Sequence, residues 1–136
     1  MENREEFLSE ILKRIQRNYV HMVEIERLTK DMAESFSRND KESVQLLLKM
    51  RGEEMERAGE VKREIQLLLE ALDSGEKEKY RSWLNAEEKH EPDSFEEKKI
   101  MEISRQTQQV LSRTVSLDKI LNSKVAGKES FYQTTS

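Results

Sequence analysis

Residues 11–36, ILKRIQRNYVHMVEIERLTKDMAESF, decide the fold. Ile11, Ile15, Asn18, Met22, Ile25, Thr29, Met32 and Phe36 follow one another at intervals of 4-3-4-3-4-3-4, the spacing that keeps one face of an α-helix turned toward a partner helix. Asn18 and Thr29 are polar within this seam, and a polar seam residue gives up stability while fixing register. Phe7, Leu8, Leu12, Tyr19, Val23 and Leu28 widen the stripe to the breadth of a helix covered by two neighbours rather than one. A helix over about 4–37 inside a bundle is expected.

Working outward, Arg38-Asn39-Asp40 interrupts the pattern, and Asn39 or Asp40 is suited to cap the next helix by accepting its free backbone amides. From there Val44, Leu48, Arg51, Met55, Ala58, Lys62, Ile65, Leu69 and Leu72 repeat the 4-3 spacing over a helix of about 41–73. So short a turn makes the two helices antiparallel neighbours. Gly52, Gly59 and Arg51 are out of place in this seam. Either the glycines allow a close approach and Arg51 snorkels outward, or the helix is locally open for function.

Asp73-Ser74-Gly75 signals a stop, and a short charged helix is expected over 76–90, with Tyr80, Trp83 and Leu84 as its large apolar groups and Pro92 as its terminator. Ser94 and Glu97 fit a capping box opening a last helix over about 95–124, whose seam reads Ile100, Ile103, Thr107, Val110, Thr114, Leu117, Leu121 and Lys124. The stretch SRQTQQVLSRTVSL, residues 104–117, holds only two charges, so this helix is easier to desolvate than its neighbours. Residues 104–136 carry a net charge of +3 against −7 for residues 1–103. That asymmetry suits either holding the helix against an acidic hairpin or receiving a partner. The architecture expected is all-α: an elongated antiparallel bundle or coiled coil of three long helices plus a short charged one. It forms one domain over 1–127, followed by a flexible tail over 128–136.

Composition narrows the function. With 38% charged residues, 35% hydrophobic and only 4 Gly and 1 Pro in 136 residues, the chain suits long solvated helices better than a thick enzyme core. A net charge of −4 argues against nonspecific nucleic-acid binding, which needs clustered Lys and Arg. The absence of cysteine excludes disulfides, thiolate zinc sites and a cysteine nucleophile. Leu46–Leu48 and Leu67–Leu69 are the longest aliphatic runs, far short of a membrane span, and MENREEF lacks the order of a secretory signal. A cytoplasmic protein without membrane insertion is expected.

Catalytic constellations are equally lacking. His21 and His90 belong to no HExxH or paired Glu-x-x-His pattern, and there is no phosphate loop or nucleophile elbow. No enzyme activity, metal or cofactor is expected. Met22, Met32 and Met55 read as core filler, with a partner-tolerant surface as the other account.

Residues 28–72, LTKDMAESFSRNDKESVQLLLKMRGEEMERAGEVKREIQLLLEAL, resemble the central hairpin of small bacterial flagellar export chaperones of the FlgN and FliT type. Asn39-Asp40-Lys41-Glu42 matches the family's short turn, and Leu47-Leu48-Lys49-Met50-Arg51 its LL-x-x-R segment. The resemblance implies a cytoplasmic bundle that binds hook-associated or filament-cap flagellar proteins and delivers them to the export gate and ATPase complex. Carried onto this chain, it puts partner contacts on Ile100, Ile103, Val110, Leu117 and Leu121 of the last helix, and on Phe131 and Tyr132 of the tail. The charged insert over 76–92 has no match in the family pattern. The competing expectation is a structural coiled-coil module that homodimerises through its first two seams.

Overall fold

A computed structural model describes the backbone of residues 2–87 and 89–135 and the side chains of residues 3–87 and 89–127. Four helices follow in order: α1 (Glu2–Ser37), α2 (Lys41–Glu70), α3 (Ser74–Leu84) and α4 (Phe95–Thr135), with no strand among the described residues. At 1.5 Å per residue the long helices measure about 54, 45 and 62 Å.

The α1–α2 turn, here called the top of the bundle, closes as its residue types dictate. Asn39 adopts a left-handed φ of 59°, which asparagine tolerates better than other side-chain-bearing residues, and the Asp40 N–H reaches back to the Ser35 carbonyl at 2.9 Å. Asp40 then caps α2, accepting from the Ser43 amide at 3.1 Å and the Ser43 hydroxyl at 2.6 Å. These two donors, hydroxyl first, hold its carboxyl below the ordinary range.

α1 is the central helix. Its seam residues Ile11, Ile15, Met22, Ile25, Thr29 and Met32 are all buried, joined by Leu8 and Leu28. Both α2 and α4 pack along it, yet among the described residues no Cα of α2 comes within 8 Å of a Cα of α4. Thr29 is buried at no hydrogen-bonding cost because its hydroxyl donates to the Ile25 carbonyl at 2.8 Å. Thr107 and Thr114 do the same to Ile103 and Val110, which is why the weakly charged stretch of α4 can lie against α1.

α3 differs in bounds from the expected 76–90. Asp73 caps it through the Glu76 amide, so it starts at Ser74. It ends at Leu84 because Ala86 turns left-handed (φ 59°) and the Glu87 N–H bonds back to the Ser82 carbonyl at 2.8 Å, a helix-stop geometry that precedes Pro92. Tyr80 and Trp83 are fully buried and stack edge to face at 5.4 Å, and Phe7 of α1 meets Tyr80 likewise. The insert is therefore part of the core at the foot of the bundle. α4 also outruns its expected end: the backbone stays helical to Thr135 where a tail was expected from 128. Side chains beyond 127, Phe131 and Tyr132 included, lie outside the described residues.

A vacant fourth-helix position as the candidate functional site

The foot of the bundle is closed by a buried carboxylate. Ser94 Oγ accepts from the Glu97 amide at 3.1 Å, the first half of the expected capping box; the Glu97 carboxylate returns to the amide of Asp93 instead of Ser94, at 2.9 Å. Its side chain is fully buried, and it also accepts from Tyr80 Oη at 2.7 Å, Arg4 Nη2 at 2.9 Å and Lys79 Nζ at 3.1 Å. Burial alone would raise its pKa, but the Asp93 amide, the Tyr80 hydroxyl and the Lys79 ammonium outweigh that and hold it below the ordinary value. Burial and the neighbouring carboxylate push the Tyr80 phenol far up. This node pins α3 to α1 and α4, seating it diagonally across from α1 as the fourth helix of a four-helix cross-section.

α3 fills that fourth position only as far as Leu84. Above it, α2 and α4 continue with no helix of the described residues between them. Their register is antiparallel: Lys62 and Thr107 line one cavity of about 270 Å³ just past the end of α3. Val44 and Val125 line another of about 290 Å³ at the top. Midway, Arg51 Nη1 bridges the gap to Asp118 at 2.7 Å and to Thr29 Oγ1 on the floor at 3.2 Å. The result is a slot floored by α1 and walled by α2 and α4.

Helical periodicity places Leu48 and Met55 on the wall that carries Val44, Arg51 and Lys62, and Leu111 and Val115 on the wall that carries Gln108, Asp118 and Val125. Leu48 is 51% exposed, Met55 50% and Val115 43%. The second seam thus exists as the sequence predicts, but in its upper half the described residues leave Leu48 and Met55 half uncovered. Glu54 is turned inward in place of Met55, pairing with His21 Nδ1 on α1 and, at 3.0 Å, with Arg57.

Both accounts of the odd seam residues meet the structure here. A Cβ on Gly52 would touch nothing within 4 Å and one on Gly59 only the Arg63 side chain at 3.8 Å, so neither glycine serves a close helix approach. Arg51 points in, with its side chain 13% exposed, rather than snorkelling out. α2 nonetheless runs unbroken from Lys41 to Glu70 through both glycines, so the helix itself is not locally open.

The residues expected to meet a partner are placed elsewhere. Ile100, Val110 and Leu121 are buried in the bundle, Ile100 in the lower core and Val110 with Met22, Ile25 and Ala58 in the upper. Ile103 and Leu117 are half-buried. The apolar ridge of α4 is spent against α1 because the 3-4 seam that advertised it is the face by which α4 joins its own bundle. In the same way the α1 seam is consumed within the chain. The charge asymmetry is partly spent too, since Arg113 Nε donates to Glu26 on α1 at 2.8 Å.

Of the slot's polar members the sequence placed Asn18 and Lys62 in seams, while Ser104 and Asp118 carried no such mark. The signals available were Arg51 in a seam and two glycines in one helix. Among the described residues no cluster of metal-ligating side chains occurs and no helix is long and apolar enough to cross a membrane. What fold and site define together is a helical bundle with one position half empty. No family model matches the chain, and neither a curated protein nor a solved structure matches it.

Proposed function

We propose that the protein is a non-enzymatic chaperone that holds an amphipathic helix of another protein in the vacant fourth-helix position. The observation that carries this reading is the half-filled position itself: α3 occupies it to Leu84, and the continuing walls present Leu48, Met55 and Val115 at half exposure. A helix laid there covers that stripe with the geometry the bundle already uses for α3. Completing the burial of each half-covered side chain is worth about 1 kcal/mol, half the value for full burial. The three together reach about 3 kcal/mol, so the partner helix's own apolar face, buried at the same time, supplies most of the about 8 kcal/mol that micromolar, releasable holding needs.

The resemblance of residues 28–72 to flagellar export chaperones supplies the partners: late hook-associated or filament-cap proteins, kept from self-association in the cytoplasm and passed to the export gate and ATPase complex. The contact surface lies on the slot in place of the α4 ridge. Co-expression pull-down with hook-associated proteins tests it. Leu48→Asp with Met55→Asp should abolish capture while far-UV helicity is kept, because both side chains are half exposed; undiminished capture by that folded variant refutes the slot.

A further inference from the structure

The lower end of the slot is chemically unlike its walls above. In the cavity just past Leu84, Ser104 is 3% exposed and its Oγ has no hydrogen-bond partner; Asn18 Oδ1, on the floor, is buried and unpartnered as well. The neighbouring threonines quench their hydroxyls on the preceding turn, but Ser104 does not. Lys62 stands at the rim of the same cavity, and among the described residues no carboxylate pairs with it. An orphan hydroxyl, an orphan amide oxygen and an ammonium without a carboxylate partner thus belong to residues lining one recess, an incomplete polar site. Turning the Asn18 amide over exchanges its oxygen for its NH2, so all three groups can donate at once.

We propose that this recess receives a carboxylate, an Asp or Glu side chain projecting from the helix held in the slot, with Lys62 Nζ, Ser104 Oγ and the Asn18 amide as its donors. A cationic side chain is disfavoured by Lys62. The last carbonyl of α3, which would repel an anion, is already occupied by Gln108 Nε2 at 3.1 Å. At the top of the slot Lys41 shares the other cavity with the Asp40 carboxylate, so the preference for an acid belongs to the lower end. From Lys41 to Lys62 α2 measures about 31 Å, so the slot suits an amphipathic helix of roughly 20 residues with an acidic group near the end that meets Lys62.

This assignment rests on the slot being the helix-binding site, and the test separates the two. Three synthetic 22-residue helices share one Leu stripe and a Gln polar face and differ only in the first and last turns, which carry Glu, Gln or Lys. Their binding to the full chain is read by fluorescence anisotropy. The Glu helix should bind at least about 10-fold tighter than the Gln helix, against the chain's overall negative charge. The preference should fall below about 3-fold in Lys62→Gln and in Ser104→Ala, and Lys62→Glu should favour the Lys helix. Equal affinities for Glu and Gln helices, both lost in Leu48→Asp/Met55→Asp, overturn the carboxylate recess and leave the slot standing. Affinities indifferent to Leu48→Asp/Met55→Asp overturn the slot and the recess with it.

Discussion

Glu97→Ala removes the acceptor on which Tyr80, Lys79, Arg4 and the Asp93 amide converge. The carboxylate is fully buried and Lys79 nearly so, at 11% exposed. Deleting it strands the buried phenol and leaves Lys79 only the longer pairs to Asp93 at 3.3 Å and Glu76 at 4.0 Å, so the loss should be about 3 kcal/mol, a large part of a small domain's total stability. Glu97→Gln keeps the shape and part of the hydrogen bonding and should lose about 1–3 kcal/mol. Trp83, the single tryptophan of the chain, is fully buried on α3, so its emission reports whether α3 stays docked while far-UV circular dichroism reports the long helices. Urea titrations followed by both probes should show Trp83 shifting to the red ahead of helix loss in Glu97→Ala and together with it in the wild type.

The pH dependence has a definite sign. Glu97 titrates below its unfolded value of 4.5 in the folded chain, so its contribution is complete above that value and is lost as pH falls through the lower folded value. Glu97→Gln should flatten that acid limb. A Glu97→Ala protein that loses less than about 1 kcal/mol, with Trp83 emission unmoved, would refute the claim that this carboxylate seats α3.

Gly52→Ala and Gly59→Ala should each stabilise the chain by about 0.5–1 kcal/mol in thermal or urea melts, since a Cβ at either site meets no crowding. Ala86→Gly should likewise stabilise by about 1 kcal/mol, because alanine is held there at a φ of 59°. Val110→Asp, at 2% exposed, should lower the melting temperature steeply, by burying an unpaired charge; an unchanged melt would mean that α4 does not pack its ridge on α1.

The sequence by itself determined the helices, their order, a cap for α2 at Asn39 or Asp40 and the seam that α1 buries. Local geometry suffices for these: a 4-3 repeat belongs to a helix with one apolar face, and Asn and Asp are both residue types that cap a helix start. The sequence was silent on which helix covers which edge of a stripe. Leu48 and Ala58 both belong to the predicted seam, yet Ala58 is buried with Met22, Ile25 and Val110 while Leu48 is half exposed: Ala58 is turned toward α1 and α4, whereas Leu48 faces the slot, above the point where α3 stops at Leu84, and no described side chain seals it there. Ile100, Val110 and Leu121 looked free for the converse reason: periodicity gives the direction of an apolar face but not whether a neighbour in the same chain already sits on it. That depends on long-range contacts such as Arg4–Glu97 and Arg51–Asp118, which only the assembled bundle brings into being.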